Sequence, residues 1–253
     1  MGRSRALVLF ALGYALVLEL LLVAAVLYWP DFLANVDSIR KLASPIPILG
    51  EKLGEIEQAG VFGYVAGQHF FKACNTLGTA AAVLFGAGAV AGDAHRGTLE
   101  ILLARPFSRT RILLERYAAG FAAFALPIFL TSATIPWLAG RVHEEVALAS
   151  VLLGAVHQTV FLSAIYGVAF LLSTLGSNPT RIAFVVLFGT TLSFALYMVK
   201  VVTHWSLFRL CDIGDFVRID RERALDGRVL LPLVLASLLL LGASCAAFRR
   251  RVP

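Results

Sequence analysis

Charge is scarce in this chain of 253 residues: Asp, Glu, Lys and Arg make up 15% of it, against 59% apolar residues. The mean hydropathy is +0.82. A water-soluble domain carries about 25% charged residues, so a fully water-facing surface is excluded and lipid must be the solvent over much of the chain. Long polar stretches are also missing. None exceeds about 40 residues, short of what a separate soluble folding unit usually needs. Cysteine is rare: Cys74, Cys211 and Cys245 are odd in number and widely spaced, which excludes a disulfide framework and a zinc pattern. The familiar catalytic wordings are absent as well. Gly50-Glu51-Lys52-Leu53 lacks the upstream glycine and the hydroxyl of a phosphate loop, and His143-Glu144 meets Ala147 where a zinc protease needs its second histidine. No G-x-S-x-G occurs. The chain is therefore expected not to be an enzyme and to bind no metal. Its pI near 9.5 comes from arginines spread between apolar runs, not from one nucleic-acid-binding face.

Six apolar runs are present, at 6–29, 69–91, 112–138, 146–175, 182–203 and 229–248. Each reaches the ~20 residues that carry a helix across the hydrocarbon core. Lipid offers no partners to backbone N–H and C=O groups, so the spans must be helices. The expected fold is an all-α integral membrane protein with six transmembrane helices in a single domain over 1–253. The first run, preceded by Arg3 and Arg5 and ending in Tyr28-Trp29-Pro30, reads as a retained helix with an interfacial anchor, being too long for the apolar core of a signal peptide. Pro127 and Pro136 are expected to kink or end the third span. With both termini cytoplasmic, the inner segments hold eleven basic residues and the outer ones nine. That is near parity, with the inner arginines clustered at 96–116 and 249–251. The outer loops, 30–68 and 204–228, are each read either as an ordered loop or as holding a short interfacial helix, the first carried by Leu49, Leu53 and Ile56.

The inner segment 92–111 is the most informative. Thr98-Leu99-Glu100-Ile101-Leu102-Leu103 is a good helix former between Gly97 and Pro106. Leu99, Leu102 and Leu103 share one face. By its residues alone it is either a docking element or a positive loop that only sets topology.

The wording around it resembles the permease subunits of ABC-2 type transporters, whose cytoplasmic loop reads close to A-G-E-x-x-x-G-T-L-E-x-L-L-A-x-P-x-S-R-x-x-x-L. Ala91, Gly92, Gly97, Thr98, Leu99, Glu100, Leu102, Leu103, Ala104, Pro106, Ser108, Arg109 and Leu113 match it. Asp93 stands where the family usually has Glu, and His95 at a commonly acidic position. Leu207-Phe208-Arg209 and Phe248-Arg249-Arg250-Arg251 look like the family's ending. The resemblance implies a coupling helix between spans 2 and 3 that docks on a separate cytoplasmic ATPase, with ATP and Mg²⁺ bound by that partner. It also implies a second permease copy, identical or related, and export across the cell (inner or plasma) membrane. The coupling residues it implies are Asp93, Arg96, Gly97, Thr98, Leu99, Glu100, Leu103, Arg105, Pro106 and Arg109. Asp93 and Glu100 would face basic groups of the ATPase, and the arginines would face it or anionic membrane lipids.

Two features lie inside the spans. Glu19 and His157 fall at similar depth when counted along their helices. They are expected to meet, with Gln158 nearby, as a polar patch on the translocation path or as a pair joining the first span to the fourth. Gly78, Ala82 and Gly86 recur every four positions, and Gly88 with Gly92 forms a GxxxG, a face for close helix approach within the chain or to a second copy. Two other functions fit the sequence: a proton-coupled secondary transporter using Glu19 and His157, or a membrane anchor for a soluble partner.

Overall fold

The computed structural model of the chain describes residues 2–104 and 106–251. The described residues are helical, with turns between and no strand. Twelve α-helices run in order: α1 (Gly2–Leu27), α2 (Trp29–Ala34), α3 (Val36–Ala43), α4 (Pro47–Val65), α5 (Thr79–Gly88), α6 (Ala91–His95), α7 (Leu99–Leu103), α8 (Arg109–Gly140), α9 (Leu148–Leu175), α10 (Pro179–Tyr197), α11 (Ile213–Glu222) and α12 (Gly227–Arg250). A π-helical segment, Ala66–Gly78, joins α4 to α5, and two 3₁₀ turns lie between α10 and α11. Six helices are long and apolar enough to cross a membrane, which fits a multi-pass membrane protein.

The second crossing differs from its expected form. It is continuous from Pro47 to Gly88, so 30–68 is not a loop with one short helix. The break falls at Gly60, whose φ of 62° and ψ of −145° suit a residue without a Cβ. Beyond it Val61, Phe62, Tyr64 and Val65 are buried, eight residues before the expected start at His69. Gln68, His69, Lys72 and Asn75 dilute the apolar run, which hid this continuity. The first crossing ends at Leu27, and Trp29 instead opens α2, where its indole donates to Glu144 Oε1 at 2.9 Å. Pro127 and Pro136 lie inside α8 without ending it. The fifth crossing stops at Tyr197, short of the expected 203.

Helix α9 is central, flanked by α5, α8, α10 and α12. Lipid tails are as apolar as leucine, so side-chain burial does not by itself draw helices together there; small residues and polar contacts do. The face of α5 shows this. A Cβ on Gly86 would stand 2.9 Å from Ala169 Cβ and 3.0 Å from the Tyr166 carbonyl of α9, and one on Gly78 would strike Leu162. Ala82 between them is fully buried. This small-residue face is thus occupied within the chain. A Cβ on Gly88 would meet nothing within 4 Å, and one on Gly92 would face only the Arg96 guanidinium, so that GxxxG seats no neighbouring helix of this chain. At the other extreme, α1 leaves Leu9, Phe10, Leu12, Leu16 and Leu20 exposed, the apolar exterior a lipid solvent favours.

Candidate functional site

The site singled out by sequence is an elbow at one end of the bundle, where α5 stops and α6 and α7 turn back to α8. Ser173 of α9 holds its first bend. Its hydroxyl accepts from the backbone N–H groups of Val90 and Ala91 at 2.9 and 2.8 Å and donates to the Ala87 carbonyl at 2.8 Å. These are groups a helix end leaves unpaired. Nothing in the local sequence pointed to Ser173, which lies more than eighty residues away.

Asp93 is the centre of the elbow. It is 7% exposed. Its Oδ1 pairs with Arg96 Nη2 at 2.8 Å and accepts from Thr98 Oγ1 at 3.2 Å, and its Oδ2 pairs with Arg116 of α8. Arg116 also donates to the Ala89 carbonyl. The Thr98 N–H donates to the Asp93 carbonyl at 2.9 Å. Gly97 sits between them at φ 68°, and a Cβ there would meet no neighbour within 4 Å. Glycine is therefore required by the left-handed backbone, not by crowding. The carboxylate of Asp93 faces groups of its own chain, where the sequence expectation had it facing basic groups of a partner.

The same holds for Arg109. Its guanidinium donates to the carbonyls of Arg249 and Arg251 at 3.1 and 2.6 Å. Arg251 in turn donates to the carbonyls of Ser173, Thr174 and Gly176 at 3.0, 2.6 and 2.7 Å, closing the C-terminal end of α9. Burial lowers the affinity of this guanidinium for its proton.

What remains outward is a small surface. Leu99 is buried and Leu103 half-buried, so α7 rests on the bundle by that face, as its periodicity predicted. The Leu102 side chain and the whole of Arg105 lie outside the described residues. Glu100, Ile101, Pro106 and Phe107 are exposed, Ile101 to 67%. Arg96 keeps 56% of its side chain exposed. Ser108 caps α8 by accepting from the Arg111 N–H, and the Arg111 guanidinium stacks over Phe107 at 4.6 Å.

Glu19 and His157 do not meet. Helix α1 lies on α8, and Glu19 accepts from Thr134 Oγ1 there at 3.0 Å. His157 turns the other way, donating from Nε2 to the Leu210 carbonyl at 3.0 Å and standing edge-on to Phe216 of α11. Counting residues along two helices gives depth but not azimuth. Gln158 belongs to a different buried cluster, donating to Asn75 Oδ1 at 2.7 Å and accepting from Cys211 Sγ at 3.2 Å. Sequence reasoning missed His69, which is 1% exposed with Nε2 3.1 Å from Ser132 Oγ.

The opposite, distal end is closed by carboxylates. Lys52 of α4 pairs with Glu55 at 2.8 Å and with Asp212 at 2.7 Å, and Tyr197 donates to the same Asp212. Asp212 and Asp215 form a capping box that starts α11. Burial raises the proton affinity of Asp215 above the usual carboxylate range. Among the described residues, no group of three or more His, Cys, Asp or Glu side chains is placed to hold a metal ion.

No curated protein matches the chain. A family described as protein of unknown function (DUF2705) matches residues 45–211, from the start of α4 to the turn before α11, which includes α6, α7, Arg116, Ser173 and the buried histidines but stops short of Asp212. With well over half of its length matched, the chain belongs to that family.

Proposed function

We propose that the chain is the permease subunit of an ABC-2 type transporter in the cell membrane, with both termini cytoplasmic and α7 as the coupling helix for a separate ATPase. ATP and Mg²⁺ belong to that partner, and a second permease copy, identical or related, completes the path for an exported substrate. One observation carries the reading: a short helix stands at a bundle end on a braced elbow, its apolar face seated, its Glu100 and Ile101 turned out and Phe107 exposed in the turn that follows. A segment that only set topology would need its charge, not a buried carboxylate shared by two arginines and a serine bridging two helix ends. The braces fit force transmission. A displacement of α7 reaches α8 through Asp93 and Arg116, and α9 through Ser173. The ATPase would bias the permease to the extent that it binds this surface differently in its two states.

The test is retention of the ATPase. The tagged wild-type chain, solubilised from its native membrane, is expected to carry a cytoplasmic ATPase that Glu100→Arg and Ile101→Asp variants lose while keeping their thermal midpoints. A folded wild-type chain that retains no ATPase, or variants that retain it fully, would overturn the proposal.

A further inference from the structure

Lys72 stands in the π-helical segment of the second crossing, exposed on the flank that faces α1. A cation at membrane depth is costly unless something pairs with it. Among the described residues, no carboxylate lies within ion-pair distance of its ammonium; its hydrogen-bond partner is Gln68 Oε1, at 3.4 Å. Glu19, on the adjoining α1, is turned to Thr134 of α8. The described residues thus supply no counter-charge for Lys72.

The space beside it has a definite shape. A groove of about 480 Å³ runs between α1 and the π segment, walled by Val17, Leu21, Ala24 and Ala25 on one side and by Gln68, Lys72, Ala73 and Leu77 on the other, with Tyr28 and Tyr64 at its distal end. From Tyr28 to Val17 is eleven residues, about 16 Å at helical rise, or roughly one leaflet of a ~30 Å hydrocarbon core. Polarity is graded along it. Tyr28 and Tyr64 stand at the distal end, Gln68 lies one turn below Tyr64 and Lys72 one turn further, and the floor toward Val17 and Leu77 is apolar apart from Thr76. The Lys72–Gln68 bond draws the ammonium toward the distal end, the direction in which a buried lysine stem snorkels. Two further grooves, between α1 and α8 and between α9, α10 and α12, have no charged residue in their walls.

We propose that this groove is a binding site for one anionic phospholipid of the leaflet at the α11 end. Its phosphate sits on Lys72 and Gln68, its headgroup lies beside the two tyrosines, and one acyl chain lies along Val17, Leu21 and Leu77. The cation selects the headgroup, and the leaflet-length apolar floor selects a chain over a free anion. The inference rests on the spans and the groove, not on the transporter reading.

The experiment is native mass spectrometry of the full, delipidated chain titrated with phosphatidylglycerol, phosphatidylethanolamine or glycerol phosphate. The wild type is expected to take up one phosphatidylglycerol in preference to phosphatidylethanolamine and to ignore glycerol phosphate. Lys72→Met should weaken the phosphatidylglycerol site about tenfold, the loss of one charge-assisted hydrogen bond. Lys72→Arg should keep the site, and Leu21→Trp, which fills the floor, should remove it with Lys72 intact. Thermal midpoints of the variants separate loss of the site from loss of the fold. Equal uptake by wild type and Lys72→Met, no preference between the two lipids, or binding of glycerol phosphate would each overturn the proposal. So would protection of Lys72 from amine acylation without any lipid, because a protein surface would then cover it.

Discussion

The two ends of the bundle settle their charges in different ways. At the α7 end, arginines are taken up largely by backbone carbonyls: Arg116 by Ala89, Arg109 by Arg249 and Arg251, and Arg251 by Ser173, Thr174 and Gly176. At the distal end, cations meet carboxylates: Lys52 with Glu55 and Asp212, Arg40 with Asp37 and Glu57, Arg218 with Asp215 and Asp226, and Lys200 with Glu51. Twelve of the sixteen carboxylates belong to distal segments, three to the α7 end, and one, Glu19, to a span. Counts of basic residues, close to equal on the two sides, therefore conceal a large difference in net charge. The α7 end keeps a net positive charge and adds helix carbonyls, which complement cations at helix C-termini, to the few carboxylates it has, Asp93 foremost. The distal end neutralises its own.

This contrast can be broken most severely at Asp93. Asp93→Asn removes the charge that faces Arg96 and Arg116, leaving a largely buried cation without its carboxylate. The expected loss is about 3 kcal/mol of stability, read by thermal unfolding, together with faster proteolysis within 92–111 and no change at the distal end. A smaller effect, about 2 kcal/mol, is expected of Lys52→Met, since Glu55 and Asp212 are partly solvated and Asp212 keeps its bond from Tyr197. Added salt should sharpen the comparison, because exposed distal pairs such as Arg40–Glu57 are screened while carbonyl-held arginines are not. Hydrogen exchange at raised ionic strength should therefore quicken in α3 and the start of α4 and stay unchanged at the end of α9.

The smallest effect concerns pH. Burial raises the carboxyl of Asp215, with His157, Asp212 and Arg218 around it. A raised acid binds its proton more tightly folded than unfolded, so its contribution is full below the unfolded value and declines as pH rises through the folded one. Stability of the distal end should fall from this group as pH rises above the ordinary carboxylate value of about 4, and Asp215→Asn, which keeps an acceptor for the capping box, should flatten that fall. A slope unchanged in the variant would assign the effect to a different group.

Much of this was readable from the sequence. The six long apolar helices followed from run length and the start of α7 from Gly97, whereas 204–228 reads equally as a loop or a short helix and the structure forms α11 there. The small-residue face of Gly78, Ala82 and Gly86 is visible in the sequence, and the structure seats it against α9. The misses share one cause. Glu19 and His157 were placed by depth alone, and the second crossing was cut short because Gln68, His69, Lys72 and Asn75 look like loop residues until neighbouring helices enclose them.

The sequence by itself determined which segments are long and apolar enough to cross a membrane, since hydropathy over ~20 residues is a local property that a bilayer reads directly. Only the tertiary structure decided what each polar residue does. Asp93 became an internal brace because Arg116, 23 residues on, folds back against it, and Ser173 became a helix-end partner because α9 passes beside α5. Such roles depend on the azimuth and crossing of helices far apart in the chain, which side-chain packing sets and no local pattern encodes.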